Sequence, residues 1–180
     1  MAELRMRLRQ ATAPLHDRVD AAYSRFELHR MDGYRAFLRA HAHVVGPLEV
    51  ALEQAGIDTM IHDWPQRSRH QALLADLRAL GDALPRSLAH PVPPSPGWCW
   101  GAAYVIEGSR LGGLVLAKRV AAANPGAPLS YLSRQSPKPF WPSFLQQFEQ
   151  QAAVFAWSDL LAGAHDTFDS FIAAAHVHRP

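Results

Sequence analysis

The sequence predicts an all-α protein of a single domain, and three observations carry that prediction. Apolar residues recur at steps of three and four along most of the chain. No stretch alternates with a period of two for long enough to make a strand, and no internal repeat is visible. Across 180 residues there is no break in composition that would separate two domains, so 1–180 reads as one unit.

The elements follow in order. Leu4, Leu8, Ala11, Leu15 and Val19 mark one face of a first helix. Pro14 removes a backbone donor inside it, so a kink or a division there is expected. Asp32 reads as the N-cap of a second helix through Tyr34, Phe37 and Leu38. Gly46-Pro47 should bend that helix and Gly56 should end it. A third helix fits Gln66 to Leu80, closed by Gly81. From Pro85 to Gly97 five prolines make a stiff, extended loop. A long apolar helix is expected over Trp98–Ala123, then a second Pro-rich stretch to Pro142, and helices over Ser143–Gln151 and Val154–Ala175.

Composition narrows the function. Hydrophobic residues make up 48% of the chain, enough for a sizeable core. The 18 basic and 16 acidic residues nearly balance, which argues against a dedicated nucleic-acid surface. The lone Cys99 excludes an internal disulfide and a multi-cysteine metal site. No apolar run approaches the ~20 residues of a membrane span, and no leader pattern is present, so a cytoplasmic protein is expected. With no Gly-x-Gly-x-x-Gly after a strand, neither a flavin nor a nicotinamide site is expected. Redox chemistry here would draw on an external electron donor.

Two segments stand out. In Tyr104-Val-Ile-Glu-Gly-Ser-Arg-Leu-Gly-Gly-Leu114, three glycines interrupt a strongly helical context, each at a cost of roughly 1 kcal/mol relative to alanine. Gly108 and Gly112 stand four apart and line one face. Such a face either packs tightly against another helix or lies on something flat. A phosphate loop does not fit, because the spacing is wrong and no Lys-Ser/Thr follows. The other segment is Leu8-Arg-Gln-Ala-Thr-Ala-Pro-Leu-His16-Asp-Arg-Val-Asp20. His16 adjoins the stripe of Leu15 and Val19, with Asp20 one turn on. A carboxylate there is the usual support for a metal-bound imidazole. Arg9 lies two turns back, roughly 10 Å along the axis. That offset suits a ligand with iron at one point and carboxylates at its edge, although a lone helical histidine is more often a core or surface residue.

Together the segments carry a resemblance. Leu8-Arg-x-Ala-Thr-x-x-x-His16-x-x-x-Asp20 resembles the proximal-helix signature of heme oxygenases, and Tyr104-Val-x-Glu-Gly-Ser-x-Leu-Gly-Gly113 resembles their distal helix in its bacterial form. The resemblance implies a helical bundle with heme between a proximal helix and a glycine-kinked distal helix. It implies oxidative cleavage of heme to biliverdin, iron and carbon monoxide, with heme both substrate and oxygen-activating centre. His16 would be the axial ligand and Asp20 the acidic residue beside it. Arg9 and Tyr104 would meet the heme propionates. Gly108 and Gly112 would touch the ring, with Gly113 beside them and Ser109 where mammalian-type members carry aspartate. Dioxygen, a ferredoxin or reductase, and a bacterial phytochrome receiving biliverdin are the implied partners.

The family's basic residues on a late helix have no clear counterpart, because Arg134 and Lys138 fall in the second Pro-rich stretch. Which meso carbon is attacked is therefore left open. His41 and His43, like His176 and His178, are about 200° apart on a helix and read as solvated. Phe168 and Phe171 read as core. Cys99 has no evident activating partner. Three other readings share these features: a heme carrier or sensor on the same fold, a thiaminase-like bundle without heme, and an interaction protein without a small-molecule site. The third would leave His16 and the glycine cluster unexplained.

Overall fold

A computed structural model describes residues 3–83, 91–133 and 139–178. Among these residues every regular element is helical, so the all-α expectation holds. The order is α1 (Glu3–Tyr23), α2 (Met31–Gln54), α3 (Ile57–Met60), α4 (Trp64–Arg67), α5 (His70–Ala79), α6 (Pro96–Ala123), α7 (Ser130–Ser133), α8 (Phe140–Gln151), a single 3₁₀ turn (Ala152–Val154) and α9 (Trp157–Val177). Arg134 and Lys138, named above, lie outside the described residues, as does the stretch 84–90.

Pro14 does not divide α1. Its missing donor leaves the carbonyl of Gln10 free, and both residues are exposed, so water can supply that bond. Asp32 is not the N-cap of α2. Arg30 holds that position and its carbonyl accepts from the Tyr34 amide, which puts Asp32 in the first turn, 3.6 Å from Arg35. There the carboxylate still complements the positive helix end. Gly46-Pro47 leaves α2 unbroken, and Gly56 ends it with φ at +80°. Gly81, at φ +68°, closes α5 while the Asp82 amide donates back to the Leu77 carbonyl.

The helix expected over Gln66–Leu80 is broken at Ser68-Arg69, between α4 and α5. The cause is the carboxylate of Glu49, which enters from α2 and accepts from the amides of Arg69 and His70. It satisfies the first donors of α5, the task an N-cap normally performs within its own helix. The apolar helix begins at Pro96 rather than Trp98, with Ser95 as N-cap accepting from the Trp98 amide. The last helix starts at Trp157 rather than Val154, after the 3₁₀ turn.

Helix α6 packs along α9, and α9 also carries α1 and α2 on its other sides. The pairs Arg7–Trp157 and His16–Phe168 show that α1 and α9 run parallel. Trp100, Phe144 and Phe148 form the aromatic centre where α8 meets α6, and all three are fully buried. The α6–α9 crossing is tighter than side chains allow. A Cβ at Gly101 would collide with the carbonyl oxygen of Leu160, and one at Gly163 with that of Trp98. Because the obstacle is backbone, Gly101→Ala must force the helices apart. We expect a loss of about 3 kcal/mol or more, seen as a fall in Tm of roughly 6–12 °C. Unchanged thermal unfolding would show that this crossing is loose.

Candidate functional site

His16 and Asp20 project together from α1. The imidazole Nδ1 lies 3.2 Å from the Asp20 carboxylate, and the two side chains are 63% and 68% exposed. An exposed pair of this kind adds little stability. Its effect is geometric: the carboxylate flanks Nδ1 and leaves Nε2 on the far side of the ring. His16 does not turn into the packed core. It stands at the open edge of the bundle, its ring edge-on to buried Phe168 at 6.1 Å between centroids. Phe171 is also buried, against Tyr23 and His41.

Tyr104 sits in the first third of α6, its ring tilted on Trp141 and Phe148 at 5.4 and 5.5 Å. Burial raises its phenol pKa, while the positive charges of Arg5 and Arg9 pull the other way. Phe148, packed on Tyr104, is followed by Glu149, whose carboxylate accepts from the Arg5 amide of α1. The start of α1, which carries Arg5, thus lies at the same corner of the fold as Tyr104, and Arg9 follows one turn on.

The glycines of α6 divide into two groups. Gly113 is buried, and a Cβ there would lie 3.3 Å from the Leu132 carbonyl oxygen, so it faces α7. Gly108 faces the Trp141 indole at 3.6 Å, and Gly112 is exposed with nothing within 4 Å of a Cβ. Close helix packing therefore does not account for Gly112; that task falls to Gly101 and Gly163. Leu111, three residues after Gly108, and Val115, three after Gly112, are 53% and 60% exposed. The resulting strip of α6 is apolar; it is open at Gly112, while the Trp141 indole lies against it at Gly108.

Ser109 points elsewhere. Its hydroxyl donates to the Ile106 carbonyl at 2.7 Å and accepts from Arg69 Nη2 at 2.8 Å. It is the edge of a buried ionic cluster that spacing along the sequence could not reveal. Arg67, fully buried, donates to Asp63, to Glu107 at 2.5 Å, to the Phe140 carbonyl and to Ser143. Glu107 also accepts from Arg110 Nε at 2.8 Å. Arg110 reaches back to the Arg67 carbonyl, and burial lowers its pKa to about 10. Burial alone would raise the Glu49 carboxyl. Bonds from His70 and Ser68 and the charge of Arg69 outweigh it, leaving the pKa below the ordinary value. The cluster ties α2, α4, α5 and α8 to the stretch of α6 that carries Gly108. Arg67, Arg69 and Glu49 went unnoticed in the sequence; the one available signal was a Gln66–His70 run too polar for a core helix.

His41 is not solvated. Its ring lies among Tyr23, Phe37, Tyr131 and Phe171, and Nδ1 shares a 2.6 Å hydrogen bond with the Tyr131 hydroxyl. Helix position 41 faces inward because α7 and α9 close over it. His43 and His178 are likewise partly buried and meet each other, whereas His176 is exposed. Cys99 is buried and its thiol is pushed up to about 11, which agrees with an inert side chain.

Burial, aided by the charge of Arg69, lowers the His41 pKa to about 3. The folded state keeps the ring neutral while the unfolded chain takes a proton below about pH 6.5. Stability should therefore fall as pH drops below that value, by up to about 1.4 kcal/mol per unit from this group. His70, whose pKa is raised chiefly by its bond to Glu49, acts with the opposite sign. The comparison that isolates His41 is wild type against His41→Gln: urea unfolding between about pH 6.5 and 5 should show a shallower decline in the variant. Parallel declines would mean that the ring is protonated in the fold.

The fold that carries the α1 histidine with its neighbouring carboxylate and the α6 strip bared by glycine is a known one. The chain superposes on the heme oxygenase of Neisseria meningitidis, solved in its NO- and CO-bound forms, with a TM-score of 0.82 over 97% of this chain and 91% of that one. Identity is 19%, so this likeness establishes the fold. No family model matches the chain. A curated heme oxygenase from Xanthomonas campestris pv. campestris is 35% identical over 145 residues, 78% of this chain and 87% of that protein. The chain belongs to the heme oxygenase family.

Proposed function

We propose that the chain cleaves heme oxidatively to biliverdin, iron and carbon monoxide, with His16 as the iron ligand and the Gly108–Gly112 strip against the opposite face of the ring. The observation that carries this reading is the pairing of an oriented, exposed imidazole with a helix face where no atom lies within 4 Å of a Gly112 Cβ. The residues present fit the group. Nε2 of His16 is left for the iron, Leu111 and Val115 supply apolar surface, and Arg9 and Tyr104 supply donors for the propionates. From the corner shared by Arg9 and Tyr104, seven residues of α1 lead to His16 and eight of α6 to Gly112, rises of about 10 and 12 Å. The reading takes those two stretches to face each other across the macrocycle.

When bound, heme supplies the iron at which dioxygen is activated, and the porphyrin that is opened. The work of the chain is positioning. Asp20, 3.2 Å from Nδ1, would orient the His16 ring, and an imidazole ligand would leave the iron able to take oxygen where a thiolate would favour O–O cleavage. The bare face of α6 leaves height above the ring for oxygen and water but no side chain that reacts. Ser109 acts through Arg69, holding that face to the ionic cluster. Electrons come from a ferredoxin or reductase. A bacterial phytochrome is a recipient for biliverdin, and a cytoplasmic setting suits both partners. Among the described residues no helix is long and apolar enough to cross a membrane. Hemin added to the protein, followed by ascorbate or a ferredoxin system under oxygen, should convert the bound pigment to biliverdin. Heme that stays intact under those conditions would leave a carrier or sensor as the reading.

A further inference from the structure

His43 and His178 were set aside by their spacing, yet the fold brings them together. His43 lies midway along α2 and His178 caps the C-terminal end of α9. His43 Nδ1 stands 3.3 Å from His178 Nε2, with ring centroids 5.2 Å apart. That is long for an N–H hydrogen bond, whose heavy atoms usually settle near ~2.9–3.0 Å. It matches the chord between two imidazoles on one tetrahedral ion, which at metal–nitrogen distances of about 2.05 Å is about 3.3 Å. We propose that His43 and His178 form a two-imidazole site for a divalent transition-metal ion of the zinc or copper class, separate from the heme site.

The surroundings suit such an ion. Both rings are partly buried and come from different helices, so neither has full rotameric freedom to lose on binding. Arg39 is one turn from His43 and would repel a cation, but Asp82 accepts from it twice, at 2.6 and 2.7 Å, and offsets its charge. A hollow of about 600 Å³ opens beside His178 and gives room for water ligands; Glu27 and Asp32 on its wall are paired with Arg30 and Arg35. Among the described residues no third protein ligand joins the pair, so water completes the shell. The ion would fasten the end of α9 to α2.

The test is calorimetric titration of Zn²⁺ and Cu²⁺ into the full chain at neutral pH. One equivalent should bind, copper more tightly than zinc. Loss of a mere supporting residue at a metal typically costs 10–100-fold, so His43→Ala and His178→Ala should each weaken binding by about tenfold or more. His62→Ala, at an exposed histidine elsewhere, should match wild type. Zinc should also raise the Tm of wild type and not of either variant. Zinc-edge X-ray absorption on wild type, which needs no variant to fold, should show two imidazole nitrogens. Equal affinities across all the proteins, or fewer than two imidazoles at the zinc, would overturn the assignment and leave an ordinary ring–ring hydrogen bond.

Discussion

Gly112→Leu is expected to give a stable, heme-loaded protein that makes almost no biliverdin. No atom lies within 4 Å of the position its Cβ would take, so nothing in the fold resists the side chain. Leucine is also the better helix former by nearly 1 kcal/mol, enough to raise Tm by about 2–4 °C. The leucine would, however, join Val115 on the strip that the proposed function sets against the ring. It would fill the height needed by oxygen and water, or tilt heme away from that face. Every 1.4 kcal/mol of such interference is tenfold in rate, and a side chain of this size should cost at least about that much. Gly101→Ala is the informative contrast, since it should lower Tm while leaving the glycine strip untouched. Measuring Tm, heme content and biliverdin yield on both proteins separates packing from turnover. Full biliverdin output from stable, heme-loaded Gly112→Leu would remove α6 from the site.

The two glycine variants also show how far the sequence could be read. Helices announce themselves locally: the stripe from Leu4 to Val19 and the stops at Gly56 and Gly81 proved to be where periodicity and turn chemistry put them, and the long apolar helix differs only in starting two residues earlier, at Pro96. His16 with Asp20 is a local pair, four residues apart, and was legible for the same reason. Gly108 and Gly112 were visible as anomalies in a helix, but spacing could not separate them from packing glycines. That distinction needed the partner backbone: Leu160 and Trp98 press on Gly101 and Gly163, whereas Gly112 has no neighbour. The features that were missed all join residues far apart in the chain. Glu49 caps α5 from 20 residues away, Arg67 meets Glu107 across 40, and His41 is closed in by Tyr131 across 90. Nothing in the local pattern around a buried arginine or histidine differs from that around an exposed one until the partner is known. Pro14 misled in the opposite sense, because the donor it removes is on a face where water replaces it.

The central claim is that His16 holds the iron of the heme that this chain cleaves. Its most direct test is the absorption spectrum of the hemin complex of His16→Ala, read beside wild type and again after adding imidazole. His16 is exposed and packs only edge-on against Phe168, so the variant should fold as wild type does. Wild type should show the Soret band of a histidine-ligated complex and turn over to biliverdin once reductant is supplied. The variant should lose that band and that turnover, and added imidazole, entering the space left by the side chain, should restore both in part. A His16→Ala complex with an unchanged Soret band and undiminished biliverdin formation would contradict the account.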